Sequence, residues 1–383
     1  MRGLWVATVD NIDWPTAPSV SPEEQQEELL TYLDLMVEMK MNCIFFQVRP
    51  VGDAFYESEI EPWSEFMTGE QGVAPDPLWD PLAFLVEHAH SRGIQVHAWI
   101  NPYRAKVRTS LLLSCMPQKN SNKGLDPSHM AIRYSEYAYP YGSYLWMDPS
   151  AQVILDHILT VVDDILVRYE VDGLHIDDYF YPFPEGGLAF PDEATYAEYV
   201  SSGGTLSLED WRRDNVNEMV QDLGNLVWSH DRIFSISPAG LYRPGHPEGM
   251  PPPIVGGDPY EDIFADSKLW LESGWMDWFI PQVYWAIAPP EQSFPEVLSW
   301  WLQVSADSAQ KLVFGGTAIY KIEPPSDWDP QEIVDQIEIS RQEDFRERFS
   351  MGNVHFSAKY FRDGTKNITE HFKGVYSKDA AIP

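Results

Sequence analysis

The chain has 383 residues, of which 44% are apolar, and 26 basic against 59 acidic side chains give it a net charge of −33. The apolar fraction is enough for a sizeable core and excludes a disordered or collagen-like chain. We interpret the charge as a solvated acidic surface, which argues against nucleic acid and anionic lipid as partners because both would be repelled. No run approaches the 18 apolar residues of a transmembrane helix.

Strands and helices alternate along the chain. The strands are predicted at 4–9, 43–49, 94–101, 173–177, 233–237, 278–284, 312–317 and 354–360, and the helices at about 22–40, 81–92, 149–169, 208–230, 263–272, 294–306 and 330–349. Ser21 followed by Pro22 and two acids is a typical helix start, and Gly93 is a typical helix end. Eight strands, each but the last clearly followed by a helix, predict one (β/α)8 TIM-barrel domain over residues 1–383. An open doubly wound sheet is the alternative, but residues 10–15 lack its glycine-rich turn.

Long connections follow four of the predicted strands. They cover 50–80, 102–148, 179–207 and 239–262, whereas the links from helix to next strand are short. Barrel enzymes elaborate the loops after strands, where the active site lies, so we expect insertions after strands 2, 3, 4 and 5 to wall a cleft. The two cysteines, Cys43 and Cys115, define neither a disulfide framework nor a zinc site, and a single bridge between them is left open.

Polar side chains stand at the ends of most predicted strands, although the interior of a parallel barrel is normally apolar. They are Gln47, Arg49, His97, Asn101, His175, Asp177, Ser235, Ser237, Gln282, Tyr284, His355, Ser357 and Lys359. Burying so many polar groups costs free energy wherever one lacks a partner. A hydrogen-bonded plug would explain one such strand, but five or six strands converging on one rim favour a binding site.

The segment 171–182 holds the candidate catalytic residues. Asp177 stands at a strand tip and is expected to point into the barrel mouth, beside Asp178. Two adjacent acids can have their pKa values pushed apart, which provides one proton donor and one ionised carboxylate. Because neighbours on a strand point apart, a loop hydrogen bond is the alternative for Asp178. Asp172 precedes the strand and is expected to support structure.

Other chemistries are less favoured by the sequence. His97, His175, Asp177 and His355 could form a metal site, but strand 1 lacks the His-x-His pair of metal-dependent hydrolase barrels, so we predict no metal and no cofactor. No Gly-x-Ser-x-Gly elbow is present, and Ser237 is interpreted as part of a turn. Arg49, Arg104 and Arg213 could bind a substrate carboxylate or pair with local acids. Trp146 and Trp285 are candidate platforms for stacking sugars.

Several long segments then resemble one known family. They are MRGLWVATV (1–9), FQVRP (46–50), HAWINPYR (97–104), VDGLHIDDYFYP (171–182), WRRDNV (211–216), SPAG (237–240) and PQVYW (281–285). They resemble the bacterial glycosyl-hydrolase-like family 10. The resemblance implies a TIM barrel and a glycosidase, because the family includes an enzyme that cuts peptidoglycan strands stripped of their peptides. It also implies an exported protein, periplasmic, lipid-anchored or secreted, whose leader is missing here, with a cytoplasmic protein as the alternative.

The resemblance has informative departures. Residues 147–150 read Met-Asp-Pro-Ser where the family usually has Leu-Asn-Pro-Gly, which adds Asp148 near the expected mouth. Gly173 to Asp177 is similar to the nucleophile segment of α-amylase-like barrels, but Ser237 stands where those barrels carry the acid Glu. In the pattern of family 18 chitinases, Tyr179 replaces the catalytic Glu.

We therefore predict a glycosidase that cleaves a polysaccharide, with Asp177 as nucleophile or base and Asp178 as the acid. The family resemblance makes peptidoglycan glycan strands the leading substrate. Asp53, Asp148 or Glu261 are alternative acids. The predicted substrate-binding residues are Arg49, Asn101, Tyr103, Arg104, His175, Gln282, Tyr284 and Trp285. A separation of roughly 5–5.5 Å between the working carboxyls would predict retention of configuration, and roughly 6.5–9.5 Å inversion. The competing hypothesis is a catalytically silent carbohydrate-binding barrel. The sequence does not predict an oligomeric state.

Overall fold

The computed structural model describes residues 1–107 and 124–380, and eight parallel strands close into a barrel at its centre. The strands of the described residues are β1 (Arg2–Val6), β2 (Cys43–Arg49), β3 (Gln95–Ile100), β4 (Arg104–Val107), β5 (Ala138–Tyr141), β6 (Tyr144–Met147), β7 (Gly173–Ile176), β8 (Ile233–Ile236), β9 (Trp278–Phe279), β10 (Leu312–Ala318) and β11 (Ser350–Phe356). The barrel runs β1-β2-β3-β7-β8-β9-β10-β11 and closes through β11 onto β1. The predicted TIM barrel is confirmed.

Helices surround the barrel. Those of the described residues are α1 (Pro22–Glu38), α2 (Glu65–Thr68), α3 (Pro81–His90), α4 (Met130–Arg133), α5 (Gln152–Arg168), α6 (Glu193–Ser201), α7 (Leu208–Ser229), α8 (Pro259–Asp262), α9 (Ser267–Ser273), α10 (Phe294–Ala306), α11 (Pro330–Ser340), α12 (Glu343–Glu347), α13 (Lys359–Arg362) and α14 (Ile368–Val375). The start of α1 has the predicted cap, in which Ser21 and Glu24 each bond the other's backbone N–H. None of the described helices has the length and apolarity needed to cross a bilayer.

Several element bounds differ from the prediction, most clearly those of β9, β11 and the helix predicted before β11. Strand β9 ends at Phe279 rather than at residue 284, because Pro281 has no N–H to continue the ladder. The predicted helix 330–349 is two helices, α11 and α12, and β11 starts at Ser350 instead of 354. The insertion after β3 contains an antiparallel sheet in the order β4-β6-β5, which the sequence analysis did not predict.

The barrel interior is partly polar below its mouth. His175 on β7 accepts the indole N–H of Trp5 at 3.0 Å through Nε2, and its Nδ1 lies 2.9 Å from Ser235 Oγ. His97 stacks on Trp278 with ring centroids 4.7 Å apart. Burial lowers the pKa of His97 to about 3 and that of His175 well below its ordinary value, so both rings are neutral at pH 7.

Two small residues, Gly173 on β7 and Cys43 on β2, also lie on the barrel strands. A side chain at Gly173 would meet Ile233 O at 2.5 Å and the His97 ring at 2.6 Å, so only glycine fits there. Cys43 on β2 is a buried free thiol, whereas Cys115, and with it the bridge left open above, lies outside the described residues.

The burial of Asp53, in the insertion after β2, predicts that the stability of the fold depends on pH. Asp53 is fully buried, it accepts a hydrogen bond from Gln71 Nε2 at 3.0 Å, and burial raises its pKa to about 7. A raised pKa means that the folded state binds the proton more tightly than the unfolded state does. Protonation of Asp53 therefore stabilises the fold at pH 4, and this stabilisation is lost as the pH rises to 7. We expect Asp53→Asn to raise the free energy of unfolding at pH 8 by about 2–4 kcal/mol and to have little effect at pH 4.

Urea denaturation at pH 4, 6 and 8 measures this difference. Asp335→Asn, on the exposed face of α11, is the matched control and should follow the wild type at each pH. An Asp53→Asn effect that is the same at all three pH values would contradict the assignment.

Candidate active site

A cavity of about 230 Å³ opens at the C-terminal ends of the barrel strands. Its lining residues are Trp5, Ala7, Val9, Ile12, Gln47, Trp99, Arg104, Asp177, Asp178, Tyr179, Ser237, Gln282, Tyr284, Tyr320 and Phe356. They come from the ends of all eight barrel strands or the loops that follow them, and from β4. This is the face on which TIM-barrel enzymes carry their active sites.

Asp177 and Asp178 both line this cavity, and no other carboxylate of the described residues does. A loop hydrogen bond was the predicted alternative for Asp178, because neighbouring side chains on a strand point apart. The strand β7 ends at Ile176, one residue earlier than predicted, so the alternation of side chains stops before the pair. The two side chains therefore reach the same cavity.

Asp177 is held by donors that favour its ionised form. Its side chain is nearly buried, and Asn101 Nδ2 lies 2.7 Å from each of its carboxylate oxygens. Burial raises the pKa of Asp177, while the positive charge of Arg104 and the hydrogen bond from Asn101 act in the opposite direction. Asp177 is thus the carboxylate of the pair whose negative charge has compensation nearby.

Asp178 has a different environment, in which the negative charge of Asp177 adds to the effect of burial. Burial and, second, the negative charge of Asp177 raise the pKa of Asp178 to about 7, against a smaller effect of the Gln282 side chain. At neutral pH a substantial fraction of Asp178 is therefore protonated. Two carboxyls whose environments differ in this way can act as acid and base in one reaction.

Three of the predicted substrate-binding residues line the cavity beside the pair. Arg104 packs its guanidinium 4.6 Å from the centre of the Tyr179 ring and donates through Nη2 to Asn101 Oδ1 at 2.7 Å. Gln282 donates to the Ser237 carbonyl at 2.9 Å. Tyr284 stacks on Phe356, and burial raises the pKa of its phenol well above the ordinary value, so the hydroxyl stays protonated.

Arg49 is the clearest correction to the predicted site. Its side chain is fully buried outside the cavity, and it donates through Nη2 and Nε to the two carboxylate oxygens of Glu61 at 2.6 and 2.7 Å. The pairing of β2 with β3 shifts register between Gln47 and Arg49. The two-residue periodicity that seemed to put Arg49 on the face of Gln47 is therefore broken there.

Four other predicted residues also lie outside the cavity lining. Asn101 is buried behind Asp177, and His175 is buried below the cavity floor. Tyr103 is buried, and its backbone carbonyl accepts the N–H of Met147. Trp285 is half-buried and packs against Gly240. Of these four, only Asn101 contacts a cavity carboxylate directly.

The alternative residues do not reach the cavity either. Asp53 and Asp148 are buried elsewhere, and Asp148 accepts hydrogen bonds from Ser150 and Thr195. Glu261 is half-exposed and pairs with Arg213. Trp146 is buried and donates its indole N–H to the Phe180 carbonyl. The residues at 147–150 that differ from the family pattern therefore add no acid to the cavity, and Asp148 stabilises the local turn instead.

The histidines of the metal alternative have protein partners. His355 is buried between Thr317 Oγ1 at 2.7 Å and the Tyr376 hydroxyl at 2.9 Å. His97 and His175 contact Ser235 instead. Within residues 1–107 and 124–380, no group of three or more His, Cys, Asp or Glu side chains is arranged to hold a metal ion.

Most of the aromatic residues that line the cavity were not predicted from the sequence. The aromatic lining residues that it did not name as sugar contacts are Trp5, Trp99, Tyr179, Tyr320 and Phe356. The signal for Trp99 was present, because it shares the inward face of β3 with His97. Tyr320 lies beyond the end of β10, where strand periodicity gives no information.

Comparisons with known proteins identify the family of this chain. A family model described as "Glycosyl hydrolase-like 10" matches residues 1–333. The chain is 35% identical to "Glycosyl hydrolase YngK" of Bacillus subtilis (strain 168), over all of this chain and 73% of that protein. It is 33% identical to "Glycosyl hydrolase DigH" of Escherichia coli (strain K12), over 87% of this chain and 76% of that protein.

Among solved structures, the PgaB (BpsB) glycoside hydrolase domain from Bordetella bronchiseptica shares the fold, with a TM-score of 0.59 at 13% identity over 100% of this chain and 99% of that one. The resemblance found in the sequence is confirmed by the match of the family model and by the two relatives. This chain belongs to the glycosyl hydrolase-like family 10.

Proposed function

We propose that this protein is a glycosidase that hydrolyses a polysaccharide with Asp177 and Asp178 as its catalytic carboxyls. Peptide-free peptidoglycan strands are the first substrate to test. The observation that carries the proposal is the pair itself: two carboxyls at the barrel mouth whose pKa values are both raised by burial, that of Asp177 against the opposing effects of Arg104 and Asn101 and that of Asp178 to about 7. The family supports glycoside chemistry, and the family resemblance is the reason for the choice of peptidoglycan.

The two carboxyls match the two roles that glycoside hydrolysis requires. A protonated acid donates to the leaving glycosidic oxygen, and an ionised carboxylate acts on the other side as nucleophile or as base for water. We assign Asp178 to the first role and Asp177 to the second. The aromatic lining gives flat surfaces for the C–H faces of sugar rings, and Gln282 and Tyr284 carry hydrogen-bonding groups suited to sugar hydroxyls.

A substrate panel tests the proposal. The purified protein is incubated with peptide-free peptidoglycan strands, chitin fragments and α-glucan fragments, and the products are identified by mass. We expect new reducing ends with one of these polymers, equally for the wild type and for the surface variant Asp335→Asn. Activity abolished by a chelator and restored by zinc would contradict a mechanism based on carboxylates alone.

A second candidate function is a barrel that binds glycans without cleaving them. Ser237 favours it, because this residue follows β8 where α-amylase-like barrels carry the acid Glu, and its Oγ lies 3.0 Å from His175 Nε2. Glycan binding without any product from the panel would support this second function and reject the first.

The pH dependence of cleavage follows from the acid role of Asp178. A general acid works only while protonated, so kcat/KM should fall about tenfold per pH unit above pH 7. In Asp177→Asn the negative neighbour is gone, so the pKa of Asp178 should fall and the decline of any residual activity should begin at lower pH. Initial rates of the wild type and of Asp177→Asn between pH 4 and 9 measure the two declines. Activity that stays constant from pH 7 to 9 would contradict the acid role.

A further inference from the structure

We propose that Gln47 is a positioning residue for Asp177. It is part of a hydrogen-bond chain that runs from the backbone N–H groups of the loop after β1, through Gln47 and Asn101, to Asp177, and it fixes which groups in this chain donate and which accept. The inference rests on the proposed function, because it concerns the carboxylate assigned there as nucleophile or base. Gln47 is fully buried near the end of β2 and is two hydrogen bonds away from Asp177.

The first link fixes the orientation of the Gln47 amide. The backbone N–H groups of Thr8 and Val9 both lie 2.9 Å from Gln47 Oε1. A backbone N–H can only donate, so the atom facing these two groups must be the amide oxygen. The Gln47 Nε2 group is then forced to the opposite side, where it donates to Asn101 Oδ1 at 2.6 Å.

The second link fixes the orientation of the Asn101 amide. Asn101 Oδ1 also receives Arg104 Nη2 at 2.7 Å, and a guanidinium has no acceptor. Two obligatory donors therefore hold the oxygen of Asn101 on the side away from Asp177. The Nδ2 group must face the carboxylate, where it lies 2.7 Å from both oxygens.

The consequence is a preference for ionised Asp177. A carboxylate can accept the Asn101 N–H, whereas a proton on the facing oxygen would oppose donor to donor. The other charged or titratable groups that act on Asp177 are Arg104, Asp178, Tyr179 and Tyr284. Gln47 adds no charge to this set, so its effect on Asp177 acts through the orientation of Asn101.

The test is the variant Gln47→Met, which keeps the length of the side chain and removes the amide. Without the Gln47 donor, the Asn101 amide has one fixed neighbour fewer and can turn its oxygen toward Asp177. Because Asp177 must be ionised to act, kcat/KM should fall at low pH as Asp177 takes up a proton, and this fall is the acidic limb of the pH profile. We expect the acidic limb to move up by about one pH unit in the variant, with kcat lowered about tenfold and KM within about twofold of the wild type. The control is Thr8→Val, which removes the bonds from Thr8 Oγ1 to the Gln47 carbonyl at 2.9 Å and to Gln47 Oε1 at 3.4 Å, and keeps the two backbone N–H groups that orient the amide.

A second variant and a second measurement keep the test decisive. Gln47→Glu retains an acceptor for Thr8 and Val9 if the methionine variant does not fold, and its ionised form should also raise the acidic limb. Carboxyl ¹³C NMR titration of Asp177, assigned with Asp177→Asn, reports its pKa without any substrate. A shifted titration in a protein that cleaves no glycan would reject the proposed function and keep the inference. An acidic limb and a titration both unchanged in a folded variant would overturn the inference.

Discussion

Asp177→Asn should lower kcat for glycan cleavage by about 10³-fold or more, while the protein stays folded and still binds the glycan. The amide keeps the shape of the side chain but can neither act as a nucleophile nor accept a proton from water. Its NH2 group would also face the Nδ2 donor of Asn101, unless that amide turns. Steady-state rates from new reducing ends, with binding measured by calorimetry on the same fragments, separate the chemical step from affinity.

Asp335→Asn makes the same chemical change on the exposed face of α11 and should leave kcat unchanged. A further comparison is Asp148→Asn, since the carboxylate of Asp148 bonds Ser150 and Thr195 outside the cavity. If Asp177→Asn retained more than about a tenth of the wild-type kcat, the assignment of Asp177 would be wrong. An Asp148→Asn loss as large as that of Asp177→Asn would return Asp148 to the list of acids.

Arg49→Met should cost about 3–5 kcal/mol of folding free energy, the second large effect that we expect. The variant leaves Glu61 buried with one partner fewer, beside His157 Nε2 at 2.9 Å. Burial by itself raises the pKa of Glu61, but the charge of Arg49 and the hydrogen bonds from Arg49 and His157 outweigh it and hold the pKa well below its ordinary value. Urea denaturation at pH 7 measures the loss.

The double variant Arg49→Met with Glu61→Leu is the matched control, because it removes both charges together. We expect it to recover much of the lost stability, since a well-packed apolar pair avoids the cost of an unpaired buried charge. A folded Arg49→Met protein with unchanged stability and a strongly raised KM would instead support the sequence-based role of Arg49 in substrate binding.

The order of elements was predictable because a TIM barrel repeats one local pattern. Strand hydrophobicity and helix caps such as Ser21 are encoded within a few residues, so all eight barrel strands were located. The antiparallel sheet β4-β6-β5 was not, because short strands inside an insertion depend on partners that lie far along the chain. The bounds of β9 and β11 were displaced for a related reason, since proline and strand pairing decide where a ladder stops.

The candidate site divides in the same way. Asp177, Asp178, Arg104, Gln282 and Tyr284 were predicted from their place at or just beyond the ends of strands, and all five line the cavity. The roles assigned to them stay predictions until the variants are measured. The environment of each carboxyl required the fold, because the Asn101 amide that bonds Asp177 stands 76 positions away in the chain.

The sequence by itself determined the barrel, its family and the carboxyl pair, because strand periodicity, helix caps and family motifs are local. Only the tertiary structure decided which polar side chains reach the mouth. A register shift between Gln47 and Arg49 turns the arginine to Glu61, and the end of β7 at Ile176 lets both acids enter one cavity. Such shifts of one residue are set by pairing with neighbouring strands, and a one-residue shift moves a side chain to the opposite face.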